Sequence, residues 1–411
     1  MNYELFLAKR FITTRPDKSS VSSPIIKIAI AAIALGMVMM LLTVATGVGL
    51  QHKIREKIAV FKGHVQISSY DNNHSETTQN PISKDQDFYP EFHAISGIKK
   101  VQAFATKAGI IRTEKDFEGT LLKGVDTDYD WSGIEAYLVD GKRPIITNEI
   151  TNEVLISKEL SDRLGLLVGD SFDMYFIKDT PLKLPNRRIF TVSGIYNSGF
   201  KDFDKRFLLG DIKQIQKLNK WNTNQVGGFE VFLDDFKSLK ETGNDIYREI
   251  NPTLNSQTLF ELFPAIFDWL LLFDANIAII IWIMILVAGI NMITALLVLI
   301  LERTQTIGIL KALGTDNWSI RKLFLYTASH LILRGLFYGN LIGLTLLFIQ
   351  DYFGIIHLDP ETYYVDKAPI YLNVMQVLLL NVGTVLLCLV MLLLPSYIIT
   401  KIHPAKAVKF E

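Results

Sequence analysis

Residues that could do chemistry are few and scattered in this sequence. The nearest approach to a ligand set is Asp126, Asp128 and Asp130, whose carboxylates alternate along one short segment. Calcium loops use carboxylates at such spacing, but the glycine and the terminal glutamate of a calcium loop are missing here. A solvated turn is therefore favoured over a cation site. The seven histidines have no metal-ligand spacing, so we expect no bound metal.

The motifs of the common catalytic classes are also missing. The sequence contains no nucleophile elbow, no paired histidine and cysteine, and no glycine-rich phosphate loop followed by lysine and serine or threonine. The only cysteine, Cys388, lies in an apolar run, which favours a small core residue. We expect no catalytic residue and no cofactor in this chain.

The composition favours a membrane protein. Apolar residues make up 49% of the 411 residues, and the mean hydropathy of +0.25 is high for a soluble protein. The net charge is zero, so no overall basic field suggests nucleic acid as a partner. Four apolar segments exceed the roughly 20 residues that cross a bilayer as a helix. We expect membrane spans at 25–50, 266–301, 323–350 and 371–399.

The distribution of basic residues predicts the orientation of these spans. Lysine and arginine are concentrated before the first span, between the second and third, and after the fourth, whereas the loop 351–370 has only Lys367 beside four acidic residues. The positive-inside rule then places both termini in the cytoplasm. The basic start and first apolar segment also suggest a signal peptide, but the segment is too long and lacks a clean cleavage site, so we expect an uncleaved span.

Between the first two spans the pattern is that of a separate folded domain. Alternating runs such as EVLIS, SFDMYFI and RIFTVSGIY predict strands, and runs such as KELSDRLGL predict helices. The predicted fold class is a membrane protein with four transmembrane α-helices and a large α+β extracytoplasmic domain between helices 1 and 2. The predicted segments are 1–24 cytoplasmic, 25–50 first span, 51–265 α+β domain, 266–301 second span, 302–322 cytoplasmic helix and loop, 323–350 third span, 351–370 outer loop, 371–399 fourth span and 400–411 cytoplasmic tail.

Two sets of residues within the spans have a predicted role. Gly335, Gly339 and Gly343 recur every four residues, which puts three small residues on one helix face for close packing against a neighbour. The first span carries bulky residues in its second half, and Met37, Met40 and Leu41 are candidates to face a cavity that takes acyl chains. Plain lipid exposure is the alternative for each of these three.

After the second span the sequence predicts a short amphipathic helix at the membrane surface. Ile307, Leu310 and Leu313 fall at helical spacing, and Lys311 lies in the last turn. Gly314 is the residue that most easily adopts the left-handed cap. Asp316 or Asn317 could cap the next helix.

This segment, ERTQTIGILKALG, resembles the coupling-helix signature of FtsX-like (type VII) ABC transporter permeases. The outer-loop sequence LDPETYYVDKAPI resembles the corresponding stretch of the LolC/LolE branch, the lipoprotein-releasing permeases with a MacB-like periplasmic domain. In that family the helix docks into a cleft on a cytoplasmic ATPase. The residues that the resemblance assigns to ATPase coupling are Glu302, Arg303, Ile307, Gly308, Leu310, Lys311, Leu313 and Gly314. Thr306 stands where the family usually has an acidic residue.

The resemblance also implies a function and a set of partners. The chain would be the permease subunit that extracts lipoproteins from the outer leaflet of the inner membrane and passes them to a periplasmic carrier of the LolA type. ATP would be bound by a LolD-like ATPase dimer, and the permease would pair with a second copy or a paralogue. Contacts with membrane lipids follow from the spans. The family's carrier-binding hook would correspond here to Pro181, Leu182, Leu184 and Pro185.

Two alternatives remain open at this level. One is a MacB-like efflux permease for peptides or drugs, which the absence of a fused ATPase and the LDPETYY stretch disfavour. The other is an FtsX-type mechanotransmission protein that regulates a cell-wall hydrolase, whose outer domain would usually be smaller.

Overall fold

The computed structural model describes residues 4, 6–8, 10, 22–72, 79–114, 116–176 and 185–401. It consists of two compact units. The membrane unit comprises the described residues of Met1–His52, Leu270–His357 and Lys367–Glu411. The α+β unit comprises those of Lys53–Trp269 together with Leu358–Asp366.

From Ser22 onward the described helices can be numbered in chain order. They are α1 Ser22–Lys62, α2 Ser132–Glu135, α3 Lys158–Leu164, α4 Lys201–Asp204, α5 Ile212–Asn219, α6 Leu239–Glu249, α7 Leu259–Leu262, α8 Pro264–Glu302, α9 Thr304–Ala312, α10 Asn317–Phe353, α11 Pro360–Tyr363 and α12 Val374–Ser396. Short 3₁₀ helices lie at Tyr70–Asn72, Phe236–Ser238 and Tyr397–Lys401.

The strands belong to the α+β unit. They are β1 Val65–Ser69, β2 Ile82–Ser83, β3 Ile98–Arg112, β4 Phe117–Val125, β5 Leu138–Gly141, β6 Glu153–Ser157, β7 Ser171–Phe176, β8 Asn186–Tyr196, β9 Phe207–Asp211, β10 Gln225–Val226, β11 Gly228–Leu233 and β12 Leu254–Thr258. Ten of them form one sheet in the order β12-β1-β11-β3-β4-β9-β6-β8-β5, with β7 paired to both β3 and β8. Among the described strands of this sheet, the β4–β9 and β6–β8 pairs are parallel and the other pairs are antiparallel.

Alternation of apolar residues explains why these segments are strands. In β7 the side chains of Phe172, Met174 and Phe176 are buried, while the residues between them are more accessible. A strand turns successive side chains to opposite faces, so one face of the sheet joins the core and the other remains wetter. The α+β unit therefore has its own hydrophobic core.

Among the described residues, four helices are long and apolar enough to cross a bilayer: α1, α8, α10 and α12. Together with the sheet domain between α1 and α8, they confirm the predicted fold class. Several helices are longer than the predicted spans, because α1 continues through the polar stretch QHKIREK to Lys62 and α10 already begins at Asn317.

Close packing of α1 against α10 organises the centre of the membrane unit. A Cβ atom added to Gly335 would lie 2.7 Å from the Cβ of Ile33. At Gly339 it would lie 2.7 Å from the Cβ of Met37, and at Gly343 it would lie 2.8 Å from a methyl group of Leu41. The three glycines thus form one contact face on which α1 lies, because only hydrogen fits between the two backbones.

The same packing corrects the prediction for the bulky half of α1. Met37 and Leu41 are fully buried and Met40 is 1% exposed, so none of them faces lipid or an open cavity within this chain. Sequence position alone suggested an acyl-chain surface. Met37 lies opposite Gly339 and Leu41 opposite Gly343, and the close approach of the two helices there buries both side chains in the interface.

Candidate functional site

The short helix α9 is separated from the membrane-crossing helix α8 by a single residue. Arg303 has φ −97° and ψ 16°, outside the helical region, between the end of α8 at Glu302 and the start of α9 at Thr304. The Thr304 hydroxyl donates to the carbonyl oxygens of Ile300 and Leu301, at 3.2 and 2.7 Å. These bonds satisfy acceptors that the end of α8 would otherwise leave unpaired. The chain therefore bends at a defined position.

The other end of α9 is closed by the predicted glycine. Gly314 has φ +91°, and its N–H donates to the carbonyl of Lys311 at 3.0 Å. The N–H of Thr315 donates to the carbonyl of Leu310 at 3.0 Å. Asp316 then caps α10, because its carboxylate accepts from the N–H groups of Trp318 and Ser319 at 3.0 and 3.1 Å. The hydrogen bonds from Ser319 and Trp318 lower the pKa of Asp316.

Burial divides the predicted coupling residues into two groups. Ile307 and Gly308 are buried in the membrane unit, and Leu310 is half-buried. Leu313, expected on the same apolar face, is 78% exposed, which corrects that part of the prediction. The reason is that α9 ends at Ala312, so Leu313 no longer follows the helical rotation that its spacing assumed.

Two large apolar side chains are exposed here, Ile309 of α9 (46% exposed) and Leu313 immediately after the helix. Glu302, Gln305 and Ala312 are also exposed. Glu302, Ile309 and Leu313 are called the coupling surface below, and Gln305 is an exposed neighbour outside it. Lys311 attaches the last turn of α9 to the end of the chain after α12, because its ammonium group donates to the carbonyl of Ile399 at 2.7 Å.

The hairpin of β7 and β8 carries the predicted hook. Its strands pair from Ser171 opposite Thr191 to Phe176 opposite Asn186, and Arg187 bonds to the Asp173 carboxylate at 2.8 Å. Pro181, Leu182 and Leu184 lie outside the described residues, and Pro185 is exposed immediately before β8.

A cleft of about 820 Å³ lies beside this hairpin. Its lining includes Arg112 at the end of β3, Leu166 in the turn after α3, and Asp173, Tyr175 and Arg187 on the hairpin. The lining of the cleft includes cationic, anionic and apolar side chains.

The three alternating aspartates do not form a cation site. Asp126 accepts from Lys84 at 2.7 Å, Asp128 accepts from the Tyr89 hydroxyl at 2.5 Å, and Asp130 pairs with Lys100. The Lys100 hydrogen bond lowers the pKa of Asp130. Across the described part of the chain, no three histidine, cysteine, aspartate or glutamate side chains converge as a metal site would require.

Sequence analysis missed a cluster around Gly199 in the α+β unit. Burial raises the pKa of Asp204 to about 6, although the carboxylate accepts hydrogen bonds from Ser198 and Gly199. Lys57 of α1 and Tyr364 of the outer loop lie at the same cluster. No sequence motif identifies it, because its three parts, Lys57, the Ser198–Asp204 turn and Tyr364, are separated from one another by more than a hundred residues.

Two family models match this chain and together cover most of it. The model described as MacB-like periplasmic core domain matches residues 28–247. The model described as FtsX-like permease C-terminal matches residues 278–404, which include α9, α10 and α12.

Curated relatives extend over nearly the whole chain at low identity. The lipoprotein-releasing system transmembrane protein LolC of Xylella fastidiosa is 23% identical over 402 residues, covering 93% of each protein. The corresponding LolE of Haemophilus influenzae is 22% identical over 421 residues, covering 99% of each. Among solved structures, the periplasmic region of MacB from Actinobacillus actinomycetemcomitans matches with a TM-score of 0.31 and 15% identity, over 49% of this chain and 91% of that one.

Proposed function

This chain belongs to the FtsX-like permeases with a MacB-like periplasmic core domain, and from this membership we propose that it is the permease subunit of a lipoprotein-releasing ABC transporter. It is a multi-pass protein of the inner membrane, and its α+β unit is the periplasmic domain. The proposal concerns the cargo, the energy source and the partners.

The observation that supports this cargo best is the end-to-end correspondence with LolC and LolE proteins. The alignments with the two named relatives cover 93% and 99% of each chain. The periplasmic domain, the outer loop and the coupling segment of this chain therefore all have counterparts in proteins named for lipoprotein release.

Lipoprotein release requires an external energy source. Each buried methylene of an acyl chain contributes about 0.8 kcal/mol to membrane anchoring, so a lipoprotein with several chains does not leave the bilayer at a useful rate unaided. This sequence has no phosphate-binding loop of the G-x-x-x-x-G-K-(S/T) type. We therefore assign ATP binding and hydrolysis to a separate cytoplasmic ATPase dimer and no cofactor to this chain.

The coupling surface is the proposed ATPase contact. Ile309 and Leu313 expose apolar side chains at the end of a helix that the second span leads into, with Glu302 on the same accessible side. The buried residues Ile307 and Gly308 and the Lys311–Ile399 bond attach the helix to the membrane unit. A push on α9 would thus be passed to the membrane helices rather than absorbed by a loose loop.

On the periplasmic side we assign carrier contact to the β7–β8 hairpin. Pro185 and the tip residues Pro181, Leu182 and Leu184 keep the role that the family resemblance suggests. The permease would act with a second copy or a paralogue, and the two together would enclose the acyl chains.

Depletion of the protein in its native host tests this function. In a strain that keeps no paralogous permease other than the proposed partner subunit, inner and outer membranes are separated after depletion, and acylated lipoproteins are detected in each. We expect outer-membrane lipoproteins to accumulate in the inner membrane, and plasmid-borne wild type to restore sorting. A plasmid-borne L313D variant should fail to restore it, while Q305A on the same helix should succeed.

Normal sorting after depletion would contradict lipoprotein release. Increased drug or peptide sensitivity would then support an efflux permease, and a cell-separation defect would support regulation of a cell-wall hydrolase.

A further inference from the structure

The outer loop between α10 and α12 contains a segment that belongs to the α+β unit. The chain enters that unit at Leu358 and leaves it at Asp366, while the residues on either side belong to the membrane unit. The Leu358 N–H donates to the carbonyl of Asp366 at 3.0 Å, which closes the segment into a compact loop around α11. We call residues 358–366 the latch segment.

Tyr364 attaches the latch segment through its aromatic ring. Its ring stacks on Phe200 with centroids 4.8 Å apart and planes 21° apart, and it meets the edge of Trp269 at 5.9 Å. Its backbone has φ +59°, a conformation that side chains other than glycine seldom adopt. Such a conformation costs on the order of 1 kcal/mol or more, so the ring contacts must outweigh it.

A second attachment joins the latch segment to the end of the first helix. The buried Lys57 of α1 donates from its ammonium group to the carbonyl of Tyr364 at 3.1 Å. A Cβ atom on Gly199 would lie 2.9 Å from that ammonium and 3.0 Å from a carboxylate oxygen of Asp366. Gly199 itself has φ +65°, so both its conformation and its surroundings require glycine.

These contacts bring three separate parts of the chain together within the α+β unit. α1, the Ser198–Asp204 turn and the latch segment meet at Lys57, Asp204 and Tyr364. An outer loop that only connected two spans would have no reason to hold a tyrosine in a strained conformation with its ring stacked on Phe200. Its neighbour Tyr363 shows the difference, because that side chain is exposed.

We propose that Tyr364 and Lys57 lock the loop between the third and fourth spans to the periplasmic domain, so that movement of these spans is transmitted to the domain. The latch segment is then a mechanical connection in addition to α1 and α8. It deepens the proposed function, since it rests on an ATP-driven movement of the membrane helices. Without the lock, ATP hydrolysis would continue but would move the periplasmic domain less.

Release per ATP hydrolysed tests this role. The permease is reconstituted with its ATPase in proteoliposomes, and hydrolysis of ATP and transfer of an acylated lipoprotein to soluble carrier are measured together. For Y364A we expect release per ATP to fall at least tenfold, with ATP hydrolysis within about twofold of wild type. Y363A, the adjacent control, should match wild type, and Y364F should retain release because it keeps the stacked ring.

Amide hydrogen exchange on the same complex separates this role from the choice of cargo. Y364A should raise exchange within residues 358–366 and reduce the ATP-dependent change in exchange of the periplasmic strands, whereas Y363A should do neither. This measurement needs no substrate, so it tests the lock even if wild type releases no lipoprotein and the proposed function fails.

Unchanged exchange of the latch segment in Y364A would overturn the attachment itself. Increased exchange with wild-type release per ATP, or with an unchanged ATP-dependent response of the strands, would overturn the transmission role. Equal defects in Y363A and Y364A would overturn the assignment to Tyr364.

Discussion

The ammonium nitrogen of Lys123 lies 2.7 and 2.8 Å from the two carboxylate oxygens of Glu230, inside the core of the α+β unit. The two side chains are 2% and 1% exposed. The same nitrogen donates to the carbonyl of Phe61 at 2.6 Å, in the last turn of α1. This ion pair therefore connects strands β4 and β11 to the end of the first helix.

Breaking this pair should be strongly destabilising. K123M leaves the Glu230 carboxylate buried without its cation, and removal of one partner of a buried pair costs about 3–5 kcal/mol. Thermal unfolding of the detergent-purified chain should show a large loss of stability for K123M, and a smaller one for the double variant K123M/E230L. The exposed pair Lys158–Asp162 is the control, because K158M should cost less than about 1 kcal/mol. If the loss of stability in K123M/E230L equals the sum of the losses in K123M and E230L, the ion pair is not the interaction that K123M removes.

The three glycine positions on α10 should not tolerate a larger side chain. In G339A the new methyl would lie 2.7 Å from the Cβ of Met37 and 2.8 Å from the carbonyl of Ala34. Overpacking of this kind costs about 1–3 kcal/mol, and we expect a lower unfolding temperature in detergent. G383A on α12 is the matched control, because nothing lies within 4 Å of its Cβ position and alanine favours the helix. Equal behaviour of the two variants would argue against the α1–α10 contact.

Asn340 and Asn381 form a reciprocal amide pair between α10 and α12. Each side-chain amide donates to the other's oxygen, at 2.7 and 3.1 Å. N340L should leave Asn381 without its partner and cost about 0.6–2 kcal/mol, the range measured for polar pairs within membranes. The double variant N340L/N381L should recover part of that loss. A double-mutant cycle on unfolding temperature measures the coupling, and a coupling of zero would contradict it.

The coupling surface predicts a defect confined to ATPase association. L313D and I309D place a charge on exposed apolar positions, so they should leave the permease folded but reduce co-purification of the ATPase at least several-fold. Q305A on the same accessible side should co-purify normally. Normal association of L313D and I309D would place the ATPase contact elsewhere.

His64 predicts a specific pH dependence of stability. Burial, with Lys100 and Lys99 nearby, lowers its pKa to about 4, and its Nδ1 accepts from the Leu233 N–H at 3.0 Å. The unfolded chain takes up this proton near pH 6.5, whereas the folded chain takes it up only near pH 4. The contribution of neutral His64 to the free energy of unfolding is therefore complete above pH 6.5 and is lost as the pH falls to 4. At about 1.4 kcal/mol per pH unit, this loss is about 3 kcal/mol.

Unfolding temperatures of the full chain between pH 4 and 7 measure this dependence. H64N keeps an acceptor for Leu233 but does not titrate, so it should flatten the pH profile in that range. H93N should leave the profile unchanged, because the His93 side chain is 82% exposed. An identical profile for H64N and wild type would show that another group controls the acid limit.

Local patterns in the sequence were sufficient for the membrane spans, the α+β character of the domain, the glycine face of α10 and the left-handed Gly314. Each depends on neighbours within a few residues, so hydropathy, alternation and the spacing of small residues carry the information. The family resemblance was likewise visible in short stretches such as ERTQTIGILKALG.

Contacts between distant residues needed the folded chain. Lys123 and Glu230 are 107 positions apart, and Lys57 and Tyr364 are 307 apart, so no local pattern relates them. The tertiary structure also showed that Met37 and Leu41 lie inside a helix interface and that Leu313 is exposed. It further showed that the three alternating aspartates each pair with a different partner. The environment of a side chain depends on which helices and strands pack around it. That packing is determined by the hydrophobic core as a whole and not by the residues adjacent in sequence.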